Sequence, residues 1–253
     1  MNSKVLDARV AIITGAGQGI GAAIASGYAA AGAKVLLTGR TQSKLDDIAS
    51  AIRTAGGEAI ALQATAGDAA DDARTIAAAL DAWGRIDVLV NNAHSFTDYL
   101  PLEDPAMADH LRTNIESAVI GSLQLMQGCF APMCAAGGGS IINMGSSYGL
   151  RCEPGFLAYA ASKEAVRALT RTAAREWGSN GIRVNTILPA ALSPKAKWYL
   201  EETGTFDAEL AKVALGRFGA AEDIVPMALF LASDASAYVT GQTIGVDGGS
   251  TML

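Results

Sequence analysis

The strand, glycine turn and helix near the N-terminus constrain the fold of this chain more than any other segment. Residues 9–14 form a short, mostly apolar run rich in β-branched side chains, which is typical of a buried strand, and the run stops at Gly15. An Ala-rich segment at 20–31 predicts a helix, and residues 34–38 predict a second strand. The order strand, helix, strand predicts a βαβ unit within a parallel sheet.

The glycines of this turn predict a phosphate-binding site. Gly15, Gly19 and Gly21 give the spacing GxxxGxG, and Gln18 and Ile20 lie beside them at the start of the helix. Glycines let the backbone approach a pyrophosphate, while the free N–H groups and the dipole of a helix N-terminus favour anions. A tight turn that needs glycine only for its backbone conformation is the alternative interpretation.

The alternation of strands and helices continues along the chain. Further strands are predicted at 59–63, 86–90, 140–144, 182–188 and Thr243–Val246. Further helices are predicted at 43–55, Ala69–Trp83, 104–133, around Tyr159 and at 221–232. Six or seven strands separated by helices predict one α/β domain over residues 1–253. Its doubly wound parallel sheet would have helices on both faces and bind ligands at the carboxyl ends of the strands.

The composition argues against several classes of function. The chain has 19 basic and 25 acidic residues, a net charge of −6 and no Lys/Arg cluster, whereas a nucleic-acid partner requires a concentrated basic face. Cys129, Cys134 and Cys152 form no CxxC pair, and with His94 and His110 they give no metal-binding spacing. We therefore expect neither a metal site nor nucleic-acid binding.

The sequence also argues against a membrane protein. Residues 1–9 mix charges and lack an apolar signal core, and no run of about 18 apolar residues follows. A soluble, cytoplasmic protein is therefore expected.

Tyr159 and Lys163 are a candidate catalytic pair. They lie four residues apart in an Ala-rich helical stretch, so both side chains share one face of the helix. An ammonium group beside a phenol favours the phenolate, which lowers the pKa from about 10 towards a value useful for proton transfer. A surface helix without chemistry is the alternative interpretation, because this spacing also occurs by chance.

Further motifs extend the pattern over nearly the whole chain. Beside the glycine turn and the Tyr159 to Lys163 pair, they are Asn91-Asn92-Ala93 after the fourth strand, Asn114 on the long helix, Ser146 thirteen residues before Tyr159, and Val246-Asp247-Gly248-Gly249 near the end. From Val10 to Gly249 the chain resembles the short-chain dehydrogenase/reductase family. The resemblance implies a Rossmann-type fold and a nicotinamide cofactor.

The resemblance also implies roles for these residues. Tyr159 would give or take the proton of the substrate hydroxyl, and Lys163 would lower its pKa and hydrogen-bond the nicotinamide ribose. Ser146 would hold the substrate oxygen, with Ser147 as the less favoured serine, and Asn114 would position a water that relays protons to Lys163. Cofactor contacts are expected from the glycine turn (Gly15, Gln18, Gly19, Ile20, Gly21) and from Arg40, Asn92, Ala93, Tyr159, Lys163, Pro189 and Leu192.

The end of the second strand predicts the cofactor. Relatives that use NAD usually place an acidic residue there, which accepts hydrogen bonds from the ribose 2′-hydroxyl and repels a 2′-phosphate. Here Gly39 and Arg40 follow the strand, and a guanidinium can fork onto a phosphate. We therefore expect NADP(H) rather than NAD(H). Gln18 tempers this expectation, because many NADP-linked relatives have a second basic residue at its position.

The chain departs from the family pattern around the expected cleft. His94 replaces a glycine after Asn-Asn-Ala, and we expect its side chain to point out of the cleft, because bulk near the nicotinamide would hinder binding. Thr65 stands where an Asp commonly contacts the adenine, and Ala190 and Pro194 replace a glycine and a threonine. Ser193 is a candidate to replace that threonine. These changes predict an active enzyme with an altered pocket rim.

Residues 190–217 break the alternation and have weak periodicity, so we expect a mobile insertion that acts as a substrate lid. Aromatic side chains that would suit an apolar or aromatic ketone, if they line the cleft, are Phe96, Tyr99, Trp198, Tyr199 and Phe206. Packing of the insertion against itself is an equally open interpretation.

The expected function is an NADP(H)-dependent carbonyl reductase or secondary-alcohol dehydrogenase with a small-molecule substrate. One alternative is reduction of 3-oxoacyl thioesters on an acidic carrier protein, for which only a thin basic patch is available: Lys195, Lys197, Lys212 and Arg217. A nucleotide-binding sensor without turnover is an alternative of another class. The resemblance further implies a homotetramer built on helices at 106–134 and 159–177.

Overall fold

The protein folds around a seven-stranded parallel sheet. The computed structural model describes residues 4–252, apart from the side chains of Pro194, Lys195 and Tyr199. The strands are β1 (Val10–Thr14), β2 (Lys34–Gly39), β3 (Glu58–Gln63), β4 (Val88–Asn91), β5 (Gly139–Met144), β6 (Ile182–Pro189) and β7 (Thr243–Val246). The α-helices are α1 (Gly19–Ala30), α2 (Gln42–Thr54), α3 (Ala69–Trp83), α4 (Met107–Ile115), α5 (Gly121–Ala135), α6 (Ser147–Arg151), α7 (Leu157–Trp177), α8 (Pro194–Glu202), α9 (Phe206–Leu210) and α10 (Val225–Ala232).

The order of the strands confirms the predicted doubly wound sheet. The strands lie in the order β3-β2-β1-β4-β5-β6-β7, and all neighbours are parallel. Ile12 at the centre of β1 pairs with Leu36 of β2 on one side and Leu89 of β4 on the other. The winding reverses between β1 and β4. In open α/β sheets, this reversal leaves a crevice at the carboxyl ends of the strands where ligands bind.

The side chains of the central strands alternate between two apolar clusters, one on each face. Ile13 and Val35 belong to the cluster that includes α1, α2 and α10, whereas Ile12 and Leu36 belong to the cluster that includes α3, α5 and α7. All four side chains are fully buried. Burial on both faces explains why these strands are continuously apolar rather than alternating with polar residues.

The helix predicted at 104–133 is interrupted. It is α-helical over Met107–Ile115, has a π-helical segment at Glu116–Ile120, and continues as Gly121–Ala135. Length and composition alone would allow this apolar helix to cross a membrane. However, side chains such as Leu125 and Met126 are buried in the core cluster with β4 and β5, and a core helix satisfies the same criteria. The π-helical segment matters for function, because such segments often lie at functional sites.

The insertion adds no layer to the sheet, as the weak periodicity predicts. It contains the short helices α8 and α9. Phe206 of α9 packs edge-on against Phe218, with 5.0 Å between the ring centroids, whereas Trp198 of α8 is 61% exposed. Of the insertion aromatics, Phe206 therefore has an internal packing partner, and the Tyr199 side chain lies outside the described residues.

Candidate active site

The glycine turn between β1 and α1 forms an open cradle. Gly15 and Gly19 have φ angles of +65° and +56°, a backbone region that favours glycine. A Cβ atom at Gly21 would clash with the carbonyl oxygen of Gly15, so Gly21 permits close packing of the helix on the turn. A Cβ atom at Gly19 would instead meet nothing within 4 Å. The turn thus faces open space at the N-terminus of α1, as an anion site requires.

A cavity of about 540 Å³ lies over this turn, at the carboxyl ends of β1, β2 and β4. The predicted cofactor residues that line it are Gly15, Gln18, Gly19, Ile20, Arg40, Asn92, Ala93 and Leu192. Thr65 and Ser193 also line it. Four predicted cofactor residues are not among the lining residues: Gly21, Tyr159, Lys163 and Pro189. Gly21 lies beneath Gly15, and Pro189 is paired with Val246 in the sheet.

Asn92 joins the end of β4 to the glycine turn. Its side-chain amide donates to the backbone oxygens of Thr14, at 2.8 Å, and Gly15, at 3.2 Å. The backbone N–H groups of Asn92 and Ala93 both donate to the Thr14 hydroxyl at 2.9 Å. Asn92 therefore fixes the cavity wall through protein contacts, which is a structural contribution to the predicted cofactor site.

Lys44 is a cation at the cavity that the sequence interpretation missed. It lies on α2, lines the cavity together with Arg40, and its ammonium donates to Oε1 of Gln18 at 2.7 Å. The described residues that line the cavity include no Asp or Glu. A basic residue one helical turn after Arg40 was the available sequence signal. Lys44 thus places a positive charge beside Gln18, the position in the glycine turn where this chain has an uncharged residue and many NADP-linked relatives have a basic one.

Ser146, Tyr159 and Lys163 come together at the end of β5. The Lys163 ammonium donates to the backbone oxygen of Met144 at 2.8 Å and lies 5.6 Å from the centroid of the Tyr159 ring. The Ser146 hydroxyl accepts from the backbone N–H of Tyr148 at 3.2 Å and so caps α6. Ser146 also hydrogen-bonds to Tyr159. These contacts favour Ser146 over the neighbouring Ser147 as the serine that faces the tyrosine.

Burial controls the protonation of this group. It raises the pKa of Tyr159, and the hydrogen bond from Ser146 only partly offsets that rise. It also lowers the pKa of Lys163 to about 8. The sequence predicts a lowered tyrosine pKa, whereas the structure gives a raised one, because desolvation of the phenolate outweighs the stabilising contacts. Tyr159 is therefore protonated at neutral pH and suited to donate.

The prediction that His94 points out of the cleft is wrong. Its Nε2 lies 2.6 Å from Oδ1 of Asn114, and its ring stacks on Tyr159 with centroids 5.0 Å apart and planes at 26°. Asn114 is fully buried, and its amide nitrogen donates to the His110 backbone oxygen at 2.8 Å and the Thr97 hydroxyl at 2.9 Å. Hydrogen bonding to Asn114 holds the imidazole inside, so His94 belongs to the site.

The backbone hydrogen-bonding pattern of the helix changes just after Asn114. The π-helical segment Glu116–Ile120 begins two residues later. Within it, the Ser117 hydroxyl donates to the Thr113 backbone oxygen at 3.0 Å and accepts from the Ser95 N–H at 3.1 Å. The segment thereby ties the helix to the loop after β4 that presents His94.

Further aromatic rings pack around Tyr159. Phe96 and Tyr148 meet it edge-on, with centroids 5.5 and 6.4 Å from its own. Phe156 stacks on Tyr148 at 4.3 Å and contacts Tyr99 at 4.4 Å. Phe96 and Tyr99 are 43% and 47% exposed, and neither lines the cavity over the glycine turn, so contact with a ketone substrate stays a prediction for them. Tyr148 and Phe156 were not predicted, because no motif marks them.

Comparison with known proteins identifies the family. A family model described as "Enoyl-(Acyl carrier protein) reductase" matches residues 15–251. The 12alpha-hydroxysteroid dehydrogenase of Clostridium sp. is 35% identical over 97% of both chains, and the D-threitol dehydrogenase of Mycolicibacterium smegmatis is 36% identical over 98% of this chain and 94% of the relative.

Solved structures agree with these relatives. A 7 alpha-hydroxysteroid dehydrogenase complexed with NADH and 7-oxo glycochenodeoxycholic acid superposes with a TM-score of 0.92, at 33% identity, and covers 98% of this chain and 96% of that one. Because the family model and the relatives span nearly the whole chain, the protein belongs to the short-chain dehydrogenase/reductase family and is an oxidoreductase that acts on alcohols and ketones.

Proposed function

We propose that the protein is an NADP(H)-dependent carbonyl reductase or secondary-alcohol dehydrogenase, with Tyr159 as the proton donor or acceptor. The supporting observation is that Ser146, Tyr159 and Lys163 meet at the end of β5, and that His94, which stacks on Tyr159, lines a cavity whose open glycine cradle suits a pyrophosphate. When bound, the nicotinamide supplies or accepts the hydride. Tyr159, protonated at neutral pH because burial raises its pKa, donates to the oxygen of a ketone substrate.

The other polar groups assist this proton transfer. The Ser146 hydroxyl donates a hydrogen bond to the same substrate oxygen and stabilises the charge that develops there. Lys163 holds the ribose hydroxyls of the cofactor, and its charge near Tyr159 favours the phenolate that remains after donation. Asn114 holds the residues around Tyr159 in place through its side-chain contacts.

The charges at the adenine end of the cavity support NADP(H) over NAD(H). Arg40 and Lys44 offer two cations to a 2′-phosphate, and the lining residues include no carboxylate that would repel it. The 7 alpha-hydroxysteroid dehydrogenase was solved with NADH, so similarity to relatives does not by itself indicate NADP(H). The preference for NADP(H) is proposed from this chain's own residues.

An acyl-carrier-protein substrate has weaker support, although the name of the matching family model includes that carrier. An acidic carrier needs unpaired cations around the cleft. In the insertion, Lys197 lies 3.7 Å from Glu201, Lys212 pairs with Glu209, and Arg217 with Asp223. The side chain of the remaining candidate, Lys195, lies outside the described residues. The sensor alternative is disfavoured by the intact Ser146, Tyr159 and Lys163.

We further propose that residues 190–217 act as a substrate lid, that the protein is cytoplasmic, and that it is a homotetramer built on its long helices. The insertion supports the first proposal, because it begins beside the cavity at Ala191, Leu192 and Ser193. Sedimentation analysis tests the third, and a monomer would contradict it.

Kinetic assays test the proposed function. Ketones with cyclic or aromatic groups, sugar ketones and acyl thioesters are each assayed with NADPH and with NADH by nicotinamide absorbance. The proposal predicts turnover of a free ketone, with a higher kcat/KM for NADPH. Turnover confined to acyl thioesters, or a higher kcat/KM for NADH, would contradict it.

A further inference from the structure

His94 connects two parts of the active site through a single side chain. Its Nε2 lies 2.6 Å from Oδ1 of Asn114, and its ring faces that of Tyr159 at a centroid distance of 5.0 Å. The other two aromatic neighbours of Tyr159, Phe96 and Tyr148, meet it edge-on. Among the aromatic rings around Tyr159, His94 is therefore the one that covers a face of the phenol.

The hydrogen bonds of Asn114 establish which nitrogen of His94 carries the proton. The amide nitrogen of Asn114 donates to the backbone oxygen of His110, which can only accept, so the orientation of the amide is fixed. Oδ1 of Asn114 is thus an acceptor, and Nε2 of His94 must donate to it. In a neutral imidazole, Nδ1 is then unprotonated.

The imidazole remains neutral over the working range of the enzyme. Burial and the nearby charge of Lys163 lower the pKa of His94 to about 3, and the hydrogen bond to Asn114 only partly offsets this. His94 therefore does not exchange protons with Tyr159 near neutral pH. Its influence on the tyrosine has to act through position and packing.

The imidazole is not an optimal choice for stability. Its Nδ1 is buried and has no hydrogen-bond partner among residues 4–252. A buried, unpaired acceptor destabilises the folded state, and such groups in native proteins often mark functional positions. An apolar ring of similar size would avoid this cost.

We infer that His94 is a positioning residue for proton transfer. Its imidazole, anchored to Asn114, holds the ring of Tyr159 in place so that the phenol hydroxyl stays beside Ser146. The inference rests on the proposed role of Tyr159. Small displacements of a catalytic group lower the rate strongly. His94 lines the same cavity as the glycine turn, but its contacts with Asn114 and Tyr159 act on the group that transfers the proton. His94 should therefore affect kcat and leave NADPH binding intact.

Two substitutions separate the two contacts of the imidazole. His94→Gly removes both the stacking and the hydrogen bond, whereas His94→Phe keeps a stacking ring and removes both nitrogens. We expect His94→Gly to lower kcat roughly tenfold or more, and His94→Phe to lower it less. The KM and Kd for NADPH should stay within about twofold of the parent values in both variants.

Three further readouts distinguish positioning from a general structural role. His94→Phe should have a thermal midpoint equal to or above that of the parent, because the unpaired nitrogen is gone. In His94→Gly, water reaches the phenol, so the apparent pKa of Tyr159 in the kcat–pH profile should fall. In His94→Phe, the ring still excludes water, so this apparent pKa should equal that of the parent. Asn114→Ala combined with His94→Phe should lower kcat less than the product of the two single effects.

Tyr159→Phe is assayed in parallel. If it keeps turnover, the proposed function fails, and the His94 inference fails with it. If it is inactive but His94→Gly or His94→Phe turns over within about twofold of the parent, only the His94 inference is overturned. A joint fall of kcat, NADPH affinity and thermal midpoint in both His94 variants would also overturn it, in favour of a structural role.

Discussion

The two ends of the cavity are built in different ways. At the end formed by the glycine turn, backbone conformation creates the site: Gly15 and Gly19 have positive φ angles, and Gly19 leaves open space above the turn. At the other end, His94 lines the cavity, and behind it side chains from separate elements meet, with His94 after β4, Asn114 on α4 and Tyr159 on α7. The backbone conformation of the first end depends mainly on local sequence, with Asn92 holding it from β4, whereas the second depends on packing between separate elements.

This difference has a functional consequence. The glycine end should determine whether the cofactor binds, and the Tyr159 end should determine whether bound cofactor reacts. Substitutions at the two ends should therefore change different measured quantities.

The largest effect is expected at Tyr159. Tyr159→Phe removes the hydroxyl and keeps the ring, so the contacts with His94 and Phe96 persist. General acid–base groups contribute roughly 10²–10⁴-fold to rate, and we expect a loss of kcat in that range. The Kd for NADPH, measured by cofactor fluorescence, should change by less than about twofold. Turnover near the parent rate would remove Tyr159 from its proposed role.

The next effect is expected at the glycine turn, where the chain offers a matched control. Gly19 and Gly56 both have positive φ angles, and a Cβ atom at either would meet nothing within 4 Å. Alanine at either position should therefore destabilise the fold similarly, by about 1–2 kcal/mol in chemical unfolding. Gly56 lies outside the cavity lining.

Only Gly19→Ala should also weaken NADPH binding, by roughly tenfold or more, because its methyl group enters the cradle. Equal NADPH affinity in Gly19→Ala and Gly56→Ala would show that the turn does not contact the cofactor.

A smaller effect is expected at the adenine end. Arg40→Ala should raise the KM for NADPH about tenfold and leave the KM for NADH nearly unchanged, and Lys44→Ala should act in the same direction more weakly. Lys34 provides a control, because it lies at the opposite end of β2 from Arg40 and pairs with Glu58 at 3.3 Å. Lys34→Ala should alter neither value. Equal changes for both cofactors in Arg40→Ala would reject the phosphate contact.

The smallest effect is the pH dependence of the parent enzyme. A raised pKa keeps Tyr159 protonated through neutral pH, so ketone reduction should be level there. It should decline by a few-fold above about pH 8, where Lys163, with its pKa lowered to about 8, loses its charge. Alcohol oxidation should rise with pH, because it needs the deprotonated tyrosine. A reduction rate that rises from pH 7 to 9 would contradict these protonation states.

The sequence predicted the fold and the glycine end well, for a physical reason. Apolar runs and glycine spacing are local properties, and at β1, the turn and α1 these local preferences agree with the final fold. The boundaries of the strands and helices shifted by only a few residues, and the last strand, Thr243–Val246, was predicted without error.

The side-chain end was predicted less completely. Spacing predicted that Ser146, Tyr159 and Lys163 act together, and the three side chains do lie together, but spacing could not show that Asn114 holds His94 inside or that Lys44 reaches Gln18. The raised pKa of Tyr159 was also missed, because it results from burial rather than from its neighbour four residues along the helix. Each of these features depends on contacts between elements far apart in the chain.

The most direct test of the separation between the two ends is a stopped-flow measurement. The parent, Tyr159→Phe and Gly19→Ala proteins are mixed with NADPH, and binding is followed by cofactor fluorescence. A ketone substrate is then added, and hydride transfer is followed by absorbance.

The account predicts that Tyr159→Phe binds NADPH with the parent affinity and transfers little hydride. Gly19→Ala should bind weakly but react at close to the parent rate per molecule bound. A loss of both binding and transfer in both variants would show that the two ends act as one unit and would contradict the account.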